Sequence, residues 1–265
     1  MLIVGERINS SRKGIGEQLE ARNAEFFRQL AIEQVANGAD LVDVNCGTLV
    51  QGEEEALTWL VDVVQATVDK PLCLDSPNPK ALAAALPRCK QRVMINSITG
   101  EKDRFEGVLP LVKEYKAQIV ALCIDDSGIP DDDRKRLAVA TALVDKLTTN
   151  GVPLDDIFID PLVQPLSVNQ QNGLAVIKTI AGVREKLPGV HIICGLSNVS
   201  YGLPLRKLIN QAFLVLALGA GLDAVILDPM DKKMISLLQA TRTLLGQDAY
   251  CRAYLQAVRQ GKIEV

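Results

Sequence analysis

The chain has 265 residues, 48% of them hydrophobic and 23% charged, with a net charge of −3, the profile of a soluble globular protein able to bury a sizeable core. It has no basic surplus and no run of lysine and arginine, so no nucleic-acid footprint and no membrane-surface patch is expected. The longest apolar stretch, Phe213 to Leu222, holds two glycines and is half a membrane span.

Glu6 and Arg7 interrupt the N-terminus, so no signal-peptide core is expected. Cys46, Cys73, Cys89, Cys123, Cys194 and Cys251 are scattered without a CxxC pair, which predicts reduced, mostly buried thiols and a cytoplasmic protein. Short apolar runs then alternate with amphipathic stretches. Strands are expected at Leu2–Val4, Leu41–Val44, Pro71–Leu74, Val93–Ile95, Ile119–Ile124, Ile157–Ile159, His191–Cys194 and Ala224–Leu227. Each is rich in Val, Ile and Leu and apolar throughout rather than alternating, as suits strands covered on both faces.

Helical patterns lie between them. One opens with Glu53, Glu54 and Glu55, acids that favour the positive end of a helix dipole, and carries Leu57, Leu60, Val61 and Val64 on one stripe. Another repeats the design with Asp131, Asp132 and Asp133, then Leu137, Ala140, Val144 and Leu147. Eight strand–helix units and a further helix near residues 247–259 predict one domain over residues 1–265: an α/β fold, a TIM (β/α)8 barrel with an extra C-terminal helix. No GxGxxG follows the first strand, which weakens a dinucleotide-binding alternative.

In such a barrel the chemistry sits at the C-terminal strand ends. In chain order these carry Glu6 and Asn9, Asp43 and Asn45, Asp75, Asn96 and Ser97, Asp125, Asp160, Ser197 and Asn198, and Asp228. Any one of them could cap a helix or close an Asx-turn, and Asp125 and Asp228, beside Gly and Pro, read most naturally that way. The set as a whole is acidic and amidic, without lysine or histidine. A Schiff-base mechanism therefore lacks its lysine. The one histidine, His191, begins strand seven and belongs at the opposite, structural end, which argues against His-based acid–base catalysis. Cys46 and Cys194 without histidine make a poor zinc site, and no bound metal is expected. An Asp-rich mouth could still take Mg²⁺, so a metal-dependent barrel enzyme is the competing class. Asp together with Asn best suits a flat heterocycle rich in N–H donors: a carboxylate accepts two adjacent N–H groups, and an amide supplies one donor and one acceptor.

The segments LIVGERIN (2–9), DVNCG (43–47), LCLDS (72–76), MINS (94–97), FIDPL (158–162) and GLSNVS (195–200) carry a specific resemblance over nearly the whole chain. The sequence resembles the pterin-binding corrinoid methyltransferase family, which includes methyltetrahydrofolate:corrinoid/iron–sulfur protein methyltransferase, methylcorrinoid:tetrahydrofolate methyltransferases and the folate domain of cobalamin-dependent methionine synthase. The resemblance implies that Asp75, Asn96 and Asp160 hydrogen-bond the pterin ring and that Gly195, Ser197 and Arg206 belong to the same site. Glu6 and Asn9 join it through the first motif. Asn198 is implied to approach N5, which bears the methyl group, and Asp43 to be an acid near N5; these are the expected catalytic residues.

The implied reaction moves a methyl group between N5 of tetrahydrofolate and a corrinoid cobalt, in either direction. The cobalamin signature D-x-H-x-x-G is missing around His191, so the corrinoid is expected on a partner protein that docks over the barrel mouth. The family is typically homodimeric. Dihydropteroate synthase shares the fold and pterin pocket, but its loop after strand one and its substrate-binding lysine and arginine are not apparent here. A dihydropteroate-synthase-like enzyme and a non-catalytic pterin-binding module remain the alternatives within this fold.

Overall fold

Continuous apolar runs build the sheet. The computed structural model describes residues 1–49 and 51–264. Its strands are β1 (Leu2–Asn9), β2 (Leu41–Asn45), β3 (Leu72–Asp75), β4 (Met94–Ile98), β5 (Gln118–Leu122), β6 (Ile157–Asp160), β7 (His191–Ile192) and β8 (Ala224–Leu227). All pair in parallel, in the order β7-β6-β5-β4-β3-β2-β1-β8. The ring closes between β7 and β8 through a Gly195–Ile226 bridge, with Ile226 N donating to Cys194 O at 2.9 Å.

The helices are α1 (Ile15–Glu20), α2 (Ala24–Ala36), α3 (Glu53–Gln65), α4 (Pro79–Ala85), α5 (Lys102–Tyr115), α6 (Asp133–Thr149), α7 (Asn172–Lys186), α8 (Arg206–Ala220), α9 (Lys232–Leu244) and α10 (Arg252–Arg259). The stripe Leu57, Leu60, Val61 and Val64 of α3 is buried as its spacing predicts. Asp132 caps α6, accepting from Lys135 N at 2.8 Å. Among the described residues no helix is long and apolar enough to cross a membrane.

Several boundaries differ from the sequence expectation: β1 runs on from Val4 to Asn9, and β4 shifts from Val93–Ile95 to Met94–Ile98. The chain makes two helices, α1 and α2, between β1 and β2. The fifth strand stops at Leu122 because Asp125 closes an Asx-turn, its Oδ1 accepting from Ser127 N at 2.9 Å. The seventh ladder ends at Ile192, although Ile193 N still donates to Ile159 O at 3.0 Å.

Strand alternation sorts the residues into two cores. Outward positions such as Val42, Val44, Leu72 and Leu74 join the large cluster under the helices. Inward positions Val4, Leu41, Cys73, Met94, Val120, Phe158, Ile193 and Ala224 meet in a second cluster that plugs the barrel. That plug decides where the site lies: the next inward residue of each strand, two positions on, faces the C-terminal mouth.

At the other end, His191 stacks on Phe158 with centroids 4.6 Å apart. Its Nδ1 lies 3.0 Å from Asp223 and its Nε2 3.1 Å from Asp155. The Asp223 hydrogen bond is the main cause that raises the His191 pKa above the ordinary imidazole value. This group's stabilisation is therefore complete below the unfolded-state pKa and disappears as pH rises through the folded-state one. For so partly exposed a cluster, His191→Gln is expected to cost about 0.5–1 kcal/mol near pH ~6 and little near pH ~9 in urea denaturation. An equal loss at both values would assign the residue to packing on Phe158 alone.

Candidate functional site

Two residues beyond the plug, the strands present Glu6, Asp43, Asp75, Asn96, Leu122, Asp160, Gly195 and Ile226, and all of these line one cavity of about 310 Å³ at the mouth. The floor is thus polar except at Leu122 and Ile226, which with Leu162 and Val163 give apolar surface to a flat ring. Asn9 and Ser97 at the ends of β1 and β4, with Ser11, Arg12, Ser197 and Asn198 beyond the strands, complete it. A Cβ at Gly195 would stand 3.1 Å from Asn198 Nδ2, so any side chain there would press on that amide. The amide of Asn198 occupies that space.

Arg206 is placed elsewhere. It is not among the cavity-lining residues; its Nη2 donates to Ser197 O at 2.7 Å and its Nε to Ser200 Oγ at 3.0 Å. It braces the turn that carries Ser197 and Asn198. Asp228, read as a turn residue, does accept from Met230 N at 3.0 Å. It also pairs with Arg7 at 3.1 Å and Arg12 at 3.3 Å, and Arg12 reaches Glu6 at 2.8 Å. This network ties the β1–α1 loop to the end of β8. Arg12 and Ser11 line the cavity, and no periodicity of the sequence marks them. Leu122 and Ile226 could have been found by counting two positions on from Val120 and Ala224.

The acids are strongly perturbed. Asp43 is 1% exposed and its Oδ1 has no hydrogen-bond partner among the described residues. Burial, then the nearby Asp75, pushes its pKa well above the carboxylate range. Burial also raises Asp75 to about 6, against the opposing hydrogen bond from Asn45 and the charge of Arg104. Asp160 rises to about 7 through burial, against the Leu162 N–H at 2.8 Å, the charge of Arg136 and the Gly195 N–H. Glu6 is raised by burial too, despite Arg12 and despite Ser197 Oγ at 3.3 Å. A group of acids desolvated together in a cleft marks this cavity as the candidate functional site.

The supports are equally specific. Asn45 Oδ1 accepts from Ser10 Oγ and Gly47 N, both at 3.0 Å, which leaves its amide N–H groups for Asp75. Arg104 donates to Ser97 O at 2.9 Å, to Ser76 O at 2.8 Å and to Pro77 O, clamping the ends of β3 and β4 together. Leu162 sits at φ +62°, a costly conformation for a bulky residue, with its N–H committed to Asp160. Asn198 is exposed, and α8 begins without any side-chain cap, so Asn198 does not serve as that helix's cap. Among the described residues no three His, Cys, Asp or Glu side chains are grouped to hold a metal ion.

The sequence profile of the family described as pterin binding enzyme matches residues 5–228. A methylcorrinoid:tetrahydrofolate methyltransferase of Eubacterium limosum is 38% identical over 265 residues, 99% of this chain and 98% of that protein. Methionine synthase of Mycobacterium tuberculosis is 30% identical over 239 residues, which is 85% of this chain but 20% of that protein. Among solved structures, a Xanthomonas albilineans dihydropteroate synthase superposes with a TM-score of 0.68 at 17% identity, over 94% of this chain and 93% of that one. A Yersinia pestis dihydropteroate synthase gives 0.68 at 14% identity, over 92% of this chain and 94% of that one, so these two share the barrel fold. A barrel mouth whose strand ends converge desolvated carboxylates and amides on one cavity, and a family profile that runs from β1 to the end of β8, lead to one assignment: the chain belongs to the pterin binding enzyme family.

Proposed function

We propose that this protein moves a methyl group between N5 of tetrahydrofolate and the cobalt of a corrinoid carried by a separate protein. The observation that carries the reading is the convergence of Asp75, Asn96 and Asp160 on one cavity beside the exposed amide of Asn198. In this reading the two carboxylates accept pterin N–H groups and the Asn96 amide supplies one donor and one acceptor. Pterin N–H groups donated to Asp75 and Asp160 favour their ionised forms, against the burial that raises their pKa values to about 6 and about 7.

N5 of methyltetrahydrofolate is a tertiary amine and leaves poorly until it is protonated or strongly hydrogen-bonded. Asn198 can turn its amide to donate to N5 or accept from a protonated N5. Asp43, whose pKa burial and then Asp75 raise, stands within the same polar network. Glu6 and Asn9 line the cavity from β1, and Arg206 acts through Ser197 rather than on the ring. The corrinoid, when its carrier is docked over the mouth, supplies the cobalt that gives or takes the methyl. A homodimer is the proposed assembly. The extensive similarity to the Eubacterium limosum enzyme supports this reaction class.

The test supplies tetrahydrofolate with a methylated corrinoid protein, and methyltetrahydrofolate with a reduced one, and follows the corrinoid spectrum and the folate product. Transfer in at least one direction is expected. Tight folate binding with no transfer to or from any corrinoid carrier would make the protein a binding module. Exhaustive chelation is expected to leave the rate unchanged; a rate that falls and returns with a divalent cation would favour the metal-dependent class.

A further inference from the structure

Four acids line the cavity, and Arg12 is the only cation among the described residues that do so. It lies in the loop between Asn9, where β1 ends, and Ile15, where α1 begins. Its Nη1 donates to Glu6 Oε1 at 2.8 Å and its Nη2 to Asp228 Oδ2 at 3.3 Å. Glu6 belongs to β1 and Asp228 follows β8 directly, so both carboxylates stand on the barrel rim. Arg7 holds Asp228 as well, at 3.1 Å. The Arg12 side chain is pinned in this way yet remains 35% exposed at the mouth.

A guanidinium is planar and its N–H groups donate within that plane. With Nη1 and Nη2 both donating to carboxylates, Arg12 is gripped by its edge. Two carboxylates beside it would repel a third, so the arrangement is a poor receptor for an anion. The flat faces of a guanidinium make no such hydrogen bonds, and they accept an aromatic ring by stacking and cation–π attraction.

The position of Arg12 on the rim selects the part of the ligand that meets it. Glu6 holds Arg12 through one oxygen and accepts from Ser197 Oγ at 3.3 Å through the other. Ser197 adjoins Asn198, the amide read above as facing N5. In a folate, the ring carbon next to N5 carries the methylene that leads to the p-aminobenzoyl group and then to glutamate. The tail therefore starts beside Asn198, on the side of the mouth where Glu6 and Arg12 lie, while Asp75, Asn96 and Asp160 hold the N–H groups of the ring.

We propose that Arg12 is a specificity-determining residue: its guanidinium face receives the p-aminobenzoyl ring of the folate tail, so that the site prefers folates to bare reduced pterins. The inference rests on the pterin reading of the cavity and adds the part of the substrate that the β1–α1 loop recognises. If Arg12 served only as the counter-charge of Glu6, its loss would affect every pterin alike, with or without a tail.

The test compares the affinities of a tail-less tetrahydropterin, tetrahydropteroate and tetrahydrofolate for the parent, R12A, R12Q and D160N, with melting temperatures alongside. The parent should bind both tailed compounds more tightly than the tail-less one. In R12A that preference should shrink by about two- to thirtyfold, the range of a cation–π contact, and by the same factor for both tailed compounds. R12Q can still donate to Glu6 but has no guanidinium face, and it should show the same loss. It decides the matter if R12A is too unstable to titrate.

Variants that weaken all three compounds by one common factor overturn the inference, and so does a preference left unchanged. Equal affinity of the parent for all three also overturns it. A loss confined to tetrahydrofolate does so too, because the glutamate carboxylates would then be the partner. D160N should weaken all three compounds together; if it binds them like the parent, the pterin reading of the cavity fails instead.

Discussion

Asn198→Ala is expected to lower kcat for methyl transfer by about 10² or more while weakening folate binding far less. A hydrogen bond to charge that develops in the reaction is worth roughly 2–4 kcal/mol at a preorganised site, and only interactions stronger in the transition state than in the ground state change kcat. The geometry favours this role. The amide stands over the gap left by Gly195, it borders the cavity, and it is not committed to capping α8. Arg206 holds the turn beneath it from the outside. Single-turnover transfer at saturating folate, measured beside the melting temperature, separates catalysis from scaffolding. A variant that melts early but transfers methyl at the parental rate would move Asn198 to the scaffold.

Asp160→Asn should act in opposite directions on binding and on stability. Losing a hydrogen-bonding charge weakens folate binding by about 1.5–3 kcal/mol. In the free protein, however, the Asp160 pKa stands at about 7 against an ordinary value of 3.8. Between those values the folded state holds a proton that the unfolded state has released, so parental stability falls as pH rises through this window and flattens above it. Asparagine has no such loss. The variant should gain up to about 2–4 kcal/mol over the parent above about pH 7, at roughly 1.4 kcal/mol per unit, and almost nothing near pH ~4. Denaturant titration at the two pH values checks the sign. A variant less stable than the parent at the higher value would show that the carboxylate is already compensated in the free protein.

The strand runs of the sequence were legible because strands buried on both faces cannot hide their apolar composition. The mouth residues were legible for a related reason: alternation lifts Asp43, Asp75, Asn96 and Asp160 two positions above the apolar plug. What escaped the sequence lies off that lattice. Arg12 enters the cavity from a loop and is held by Glu6 and Asp228 from β1 and the end of β8, a contact separated by 216 positions in the chain. Arg104, in α5, turns its guanidinium onto the carbonyls of Ser76, Pro77 and Ser97. Arg206 matched the family motif by spacing, but in this structure its side chain binds the Ser197 and Ser200 turn outside the cavity. Spacing located only Arg206 in the chain; the loop paths determine which way each of these arginines points.

The central claim is that this cavity binds a pterin through its carboxylates and amide. Calorimetric titration of tetrahydrofolate into the parent, Asp75→Asn, Asn96→Ala and Asp160→Asn tests it most directly. Saturable binding to the parent is predicted, weakened in each aspartate variant by roughly 10- to 150-fold and in the asparagine variant by a smaller factor. Unchanged affinity in all three variants would contradict it.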